Sequence, residues 1–301
     1  MFKVEFYSLG TMNTIYTLKD DTKKIVNKVI KRVEAIDDKM SIFKNDSEVS
    51  LISKNSGLHH VKVSEETFNL LVLAKKYAKL TGGMYDITIA PLSKLYNFKK
   101  DEIPTDLEIE EAKKLVDYHK LHLNKFNKNV YLTKKGMAID LGSIAKGYAV
   151  DEAVRILKEN RVKDALINFG GDVYALGDDE YGKFWNIGIQ NPLKNRGVSF
   201  LNLDVENKAV VTSSVNEQFI IKDSKFYHHI INPKTGYPLD LSLLSATIID
   251  ESSTLADVLS TSSFLIGLNN ATELVKKVNS RAVFIDKDQF VFSTFDVKEK
   301  A

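Results

Sequence analysis

Residues 165–177 read ALINFGGDVYALG, two strand-like apolar runs separated by a double glycine. So tight a reversal leaves its arms antiparallel, because a parallel pair needs a crossover of about a dozen residues or more. Further strand-like runs follow at Trp185–Gln190, 201–205, 209–211 and 244–250, and residues 2–18 read strand, turn, strand with Gly10 at the break. This succession argues for antiparallel sheet rather than a doubly wound fold. Helices are predicted between the strands. Val26, Val29, Ile30, Val33 and Ile36 recur at helical spacing over Lys23–Met40. Ser64 caps a second helix that stops at Thr81-Gly82-Gly83, and Thr105 with Glu108 forms a capping box opening a third over 105–118. Two more cover 143–160 and 252–267. The fold class is therefore α+β, largely antiparallel sheets with packed helices. Three segments are read as irregular or extended: a polar turn region at 41–57, a buried strand and turn at 82–98, and a hairpin strand over 129–141 whose apolar end is 137–139. A charged tail closes the chain.

The chain has 301 residues and no cysteine, which excludes thiolate catalysis, disulfides and thiolate-bound metals. A net charge of +2 gives no basic footprint for nucleic acid. The first 18 residues alternate like a strand and lack a long apolar run, so neither a signal peptide nor a membrane span is expected, and a cytoplasmic location is. No fixed repeat, low-complexity linker or clear boundary interrupts the sequence, so residues 1–301 are expected to form a single domain.

Four segments carry chemistry. Residues 140–151, DLGSIAKGYAVD, run from an apolar stretch into an amphipathic helix. A helix starting near Gly142 and Ser143 turns free backbone N–H groups toward an anion. Lys146 adds a point charge one turn in, and Asp140 stands where a metal or a ligand hydroxyl would be met. Gly170 and Gly171 allow close backbone approach, and Asp172 follows them; taken alone, an ordinary hairpin turn is the better reading of these three. His228 and His229 precede the turn sequence Asn232-Pro233-Lys234-Thr235-Gly236; on a strand the two rings point to opposite faces, so at most one enters a given site. On the helix over 252–267, Asp257, Ser260 and Thr261 share one face, a hard-oxygen set suited to Mg²⁺. The competing reading makes Asp257 a solvated surface group and bonds Thr261 to its own backbone. His119 and His122, at i and i+3 in a lysine-rich segment, lack a third ligand and are read as solvated.

Seven fragments occur here in one order: GTM at 10–12, DSEVS at 46–50, GMYDITIAPL at 83–92, DLGSIAKGYA at 140–149, NFGGD at 168–172, HIINPKTG at 229–236 and ADVLST at 256–261. Together they resemble the ApbE family of FAD:protein FMN transferases over nearly the whole chain, from about residue 8 to 292. The resemblance implies two intertwined subdomains, T-fold-like, with FAD held in the cleft between them. It would bring Asp140 and Lys146 from one half toward His229 and Asp257 from the other. It also implies an activity: Mg²⁺-dependent cleavage of FAD, release of AMP, and attachment of FMN by a phosphoester bond to a Thr or Ser hydroxyl of an acceptor flavoprotein. By position, the implied metal ligands are the Ser143 carbonyl and the side chains of Asp257 and Thr261. The implied flavin contacts are Met12, Ser47, Met84, Tyr85, Asp86, Asp140, Lys146, Ile231 and Ser260. His229 falls on the family's H-x-x-x-P-x-T-G histidine and is the candidate base, since a free imidazole titrates near pH ~6.5. The family commonly has Asp before that proline where this chain has Asn232, a change of little effect if the residue shapes the turn and of consequence if its carboxylate reacts. Two other functions use the same residues: Mg²⁺-dependent FAD hydrolysis with water as acceptor, and FAD binding without catalysis.

Overall fold

The computed structural model describes residues 1–194, 197–215, 218–222, 225–240 and 242–297; the last residues of the charged tail lie outside them. The chain forms two compact units built from alternating segments. The first unit is Met1–Asp37, Ser143–Ser214 and Ser242–Ala301; the second is Asp38–Gly142 and Val215–Leu241. The halves divide differently from the expectation above. Asp140 falls in the same unit as His229, and Lys146 in the same unit as Asp257, because the chain changes unit at Gly142 and Ser143.

The first unit is built on one eight-stranded sheet: β1 (Phe2–Ser8), β2 (Thr11–Thr17), β3 (Ala165–Phe169), β4 (Asp172–Leu176), β5 (Lys208–Ser214), β6 (Leu243–Asp250), β7 (Arg281–Asp286) and β8 (Val291–Ser293). Sheet order follows chain order and every pairing is antiparallel. Four helices belong with these segments: α1 (Lys23–Met40), which runs on into the second unit, α2 (Ala145–Glu159), α3 (Ser253–Ile266) and α4 (Leu268–Lys277). α3 packs on β5, β6, α2 and α4. The hairpin Trp185–Gln190 with Ser199–Val205 buries Trp185, Ile187, Ile189, Leu203 and Val205 against Ala175, Val210, Ile249 and Val283 of the sheet. Val210 and Ile249 face this hairpin, so their neighbour Ser213, odd in the period-two pattern, faces α3 instead. β6 is buried on both faces over LLSATII, its Ser245 and Thr247 included.

The second unit carries the helices Glu48–Lys54, Glu65–Leu80, Ala90–Ser93 and Asp106–Lys113, a three-stranded sheet of Val61–Lys62, Asn129–Leu132 and Leu121–Asn124, and a hairpin of Phe219–Lys222 with Lys225–His228. Its local departures from expectation have simple causes. Met137 and Ile139 are buried in alternation, yet 137–139 form no ladder: the Ile139 N–H goes to Ser53 Oγ and the Asp140 N–H to the Ile87 carbonyl. Residues 82–98 contain the 3₁₀ turn Ile87–Ile89 and the short helix Ala90–Ser93 in place of a strand. The polar segment 41–57 hides a helix with only Val49 and Ile52 turned inward. The helix opened by the Thr105–Glu108 box ends at Lys113. Among the described residues, no helix is long and apolar enough to cross a membrane.

Candidate functional site

In the first unit, α2 and α3 meet at Gly147. A Cβ on this residue would lie 2.3 Å from the Ser253 carbonyl oxygen and 2.7 Å from Asp257 Cβ, so only glycine permits the approach. The approach lets the Gly147 N–H donate to Asp257 Oδ2 at 2.9 Å. Asp151, one turn further along α2, caps the start of α3. Its carboxylate accepts from Ser253 N at 2.7 Å, Thr254 N at 2.9 Å, Ser252 Oγ at 2.8 Å and Thr254 Oγ1 at 2.6 Å. The register between the two helices is thus fixed at both ends of the contact.

The charged groups gather around that contact. Lys146 Nζ donates to both Asp172 oxygens at 3.0 and 3.1 Å and lies 3.6 Å from Asp257 Oδ1. Both carboxylates are about as buried as core residues, at 2% exposure each. Carboxylates are buried this deeply only when paired, so Asp257 is not the solvated group of the ordinary reading. One turn on, Ser260 Oγ donates to the Asp257 carbonyl, and Ser213 Oγ on β5 bonds Ser260 Oγ at 2.9 Å and Thr261 Oγ1 at 3.1 Å. Thr261 is therefore held by the sheet, with its oxygen beside those of Ser213 and Ser260.

These donors suit a hard cation. Asp257 Oδ1 already faces a positive group, and Thr261 Oγ1 is stacked one turn along the same helix. Ser143 stands two residues before the first residue of α2. No group of three His, Asp or Glu side chains that could hold a metal ion gathers among the described residues. The anion-binding helix start is partly different from expectation. α2 begins at Ala145 without a side-chain cap, and the Gly142 N–H is taken by Asp140 Oδ1 at 2.8 Å. Met12 stands exposed near the β1–β2 turn, paired with Tyr7. Its neighbour Thr11 lies against Gly170, whose positive φ of 61° sets the turn into Asp172.

In the second unit, the remaining predicted residues do mostly local work. Ser47 caps Glu48–Lys54, accepting from Ser50 N and donating to the Ser41 carbonyl. Asp86 caps Ile87–Ile89 through Thr88 N and Oγ1 and also receives the Tyr118 N–H; burial pushes its carboxyl up against these three bonds. Tyr85 is buried beside it, and Met84 is half-buried. Asp140 reaches this loop through its own N–H to Ile87. Its carboxyl is also raised, by the protein enclosing it, with the Gly142 amide and the Lys94 charge pulling the other way. Ile231 is buried with Leu92, Tyr96, Ile109 and Ala112.

The two histidines separate by environment. His228 is buried, with Nε2 on the Leu239 carbonyl at 2.9 Å and Nδ1 accepting from Ile230 N. Burial lowers its pKa, which leaves it a neutral structural ring. His229 is half-buried and leads into the turn. There the Asn232 carbonyl accepts the Gly236 N–H, and Asn232 Oδ1 accepts the Lys234 N–H at 2.9 Å. Asn232 shapes the turn, a task an Asp performs equally. His119 is exposed and bonded to Asp117.

Three residues absent from the predicted set belong to the first unit's cluster: Asp172, Ser213 and Asp151. The sequence signals were faint: an Asp directly after a double glycine, a Ser at the polar end of β5, and an Asp within the amphipathic α2.

The model of the ApbE family matches residues 9–285. An FAD:protein FMN transferase of Klebsiella pneumoniae is 30% identical over 292 residues, covering 95% of this chain and 90% of that protein. One from Treponema pallidum is 31% identical, covering 82% and 74%. Among solved structures, the ApbE protein of Thermotoga maritima superposes with a TM-score of 0.87 at 30% identity over 97% of this chain and 96% of its own. The flavin transferase ApbE of Vibrio cholerae gives 0.88 at 25% identity over 99% and 98%.

Proposed function

The chain belongs to the ApbE family, and from that premise we propose that it is an FAD:protein FMN transferase. In the reaction, a Thr or Ser hydroxyl of an acceptor flavoprotein attacks the FMN phosphorus of FAD. The P–O bond to the AMP half breaks, AMP leaves with the electron pair, and the hydroxyl proton goes to a base. FMN ends in a phosphoester on the acceptor, whose expected sequence is of the D-x-x-(S/T)-(G/A)-A-T type.

The observation that carries this reading is half-buried Lys146 set between the buried carboxylates of Asp172 and Asp257, with Thr261 one turn beyond on α3. Such an array suits a pyrophosphate and the cation that accompanies it. Asp257 Oδ1, Thr261 Oγ1 and the Ser143 carbonyl would hold Mg²⁺, which when bound offsets charge on the phosphate oxygens. Lys146 presents an ammonium to those oxygens, oriented by the carboxylates that flank it. Ser260, tied to Ser213 and to the Asp257 carbonyl, stiffens the turn that carries the metal ligands. In the second unit, His229 is assigned as the base that takes the acceptor's proton, because His228 is committed to Leu239 and Ile230. Met12, Ser47, Met84, Tyr85, Asp86, Asp140 and Ile231 are assigned to flavin recognition. For Ser47 and Asp86, whose oxygens are engaged in caps, this recognition is through the backbone they shape.

The test is incubation with FAD and Mg²⁺, with and without an acceptor domain bearing that motif, following AMP and acceptor mass together. An acceptor gain equal to one FMN group, with AMP released and both lost on chelation, is expected. AMP and free FMN with no acceptor gain would replace transfer by hydrolysis, and absence of AMP would reject both.

A further inference from the structure

Lys146 is shared unequally between two buried carboxylates. It makes two hydrogen bonds to Asp172, at 3.0 and 3.1 Å, and stands off Asp257 Oδ1 at 3.6 Å. The other Asp257 oxygen is already engaged by the Gly147 N–H, so Oδ1 is the oxygen left for a cation. An ammonium that closed the last distance to Oδ1 would neutralise the only carboxylate in the assigned metal set. What opposes that closure is Asp172, and its position is set by backbone rather than by a flexible side chain. It opens β4 opposite Phe169, after a turn in which Gly170 and Gly171 both have positive φ and the Gly171 N–H is fixed to Asn168 Oδ1 at 2.9 Å. Gly170 in turn has no room for a Cβ, which would lie 2.6 Å from Thr11 Cγ2. The double glycine therefore fixes where a carboxylate stands, and that carboxylate fixes where the lysine stands.

We propose that Asp172 is a positioning residue that retains Lys146, holding its ammonium off Asp257 so that Oδ1 stays open to a divalent cation while the positive charge remains beside it. The proposal rests on the assignment of Asp257 as a metal ligand made above. Two effects act in the same direction when Asp172 loses its charge. The ammonium loses the pull of Asp172 and is drawn toward Asp257, and the local positive potential met by an incoming dication rises. Both weaken metal binding; removing the lysine charge as well abolishes the first and offsets the second, because the double change takes away one charge of each sign. A carboxylate that ligated the metal directly would behave differently, because deleting the lysine would not restore it.

The experiment titrates the full chain with Mn²⁺, a hard cation that reports free and bound fractions by electron paramagnetic resonance, in the absence of FAD. Asp172→Asn is expected to weaken Mn²⁺ binding by roughly tenfold or more. Lys146→Met alone is expected to bind at least as tightly as the parent chain. The double variant Asp172→Asn/Lys146→Met is expected to return to within about twofold of the parent chain. A double variant as weak as Asp172→Asn would make Asp172 a ligand and overturn the proposal, as would Asp172→Asn binding like the parent chain. If Asp172→Asn does not fold, Lys146→Met decides: weaker binding than the parent overturns the proposal, and tighter binding supports it. Failure of the transferase reading is seen separately. A parent chain that binds Mn²⁺ but releases no AMP from FAD would reject transfer and hydrolysis while leaving the role of Asp172 standing.

Discussion

Replacing Gly147 by alanine tests whether the α2–α3 contact is what builds the cluster. The added methyl would begin 2.3 Å from the Ser253 carbonyl oxygen, against an ordinary C···O separation of about 3.3 Å. The helices must part by about 1 Å, and the carbonyl and Asp257 Cβ are backbone or near-backbone atoms that cannot rotate away. Overpacking of this kind costs about 1–3 kcal/mol. Stretching the Gly147 N–H bond to the Asp257 carboxylate, 2.9 Å in the native contact, costs about 1.5–3 kcal/mol more if it breaks. Alanine returns about 1 kcal/mol through its better helix propensity. The net expectation is a loss of about 1.5–5 kcal/mol, a large share of a typical stability of about 5–15 kcal/mol. Trp185, the sole tryptophan, is buried in the first unit with its indole N–H on the Leu176 carbonyl, so its fluorescence in a urea titration reports this unit. Gly147→Ala should unfold at a lower urea midpoint and bind Mn²⁺ more weakly. An unchanged midpoint together with unchanged Mn²⁺ affinity would refute the claim that this close approach sets the position of Asp257.

Three further outcomes follow from the same geometry. Asp151→Ala removes four hydrogen bonds at the start of α3 and should cost about 2–4 kcal/mol by urea denaturation, while Asp151→Asn, which keeps an acceptor oxygen, should cost about half as much; equal losses would argue against capping. His228 has a folded pKa depressed by burial, so the unfolded chain binds the extra proton. Its contribution to stability is full above the unfolded value of about 6.5 and is lost as pH falls through the folded value. The parent chain should therefore lose more stability than His228→Gln between about pH 7.5 and about pH 5, and parallel curves would contradict the neutral assignment. His229→Ala should retain FAD affinity yet transfer FMN roughly 10²–10⁴-fold more slowly, and a rate equal to the parent's would place the base elsewhere.

How far the sequence could be read depended on whether a residue's partner lay nearby in the chain. α1 was legible to the residue, because Val26, Val29, Val33 and Ile36 repeat at helical spacing and all four are buried. The hairpin around Gly170 and the capping box at Thr105 were legible for the same reason: each is decided within a few residues. The stretch 137–139 was misread because alternating burial is shared by a strand and by an extended segment whose amides go to Ser53 Oγ and the Ile87 carbonyl, partners more than 50 residues away. The cluster shows the same division at the level of chemistry. One helix turn is enough to put Asp257 and Thr261 on one face, whereas Asp172, Ser213 and Asp151 reach Lys146, Thr261 and the start of α3 from two strands and a second helix. Motif order located the seven fragments, but only the fold shows how they couple. Gly147 lets α2 reach Asp257, Asp151 sets the register of α3, and the turn at Gly170 and Gly171 presents Asp172 to Lys146. The same reasoning bears on Asn232, where the family resemblance leads one to expect Asp. Its side chain is spent on the Lys234 amide, so the position constrains the turn after His229 and either residue supplies the oxygen that does so.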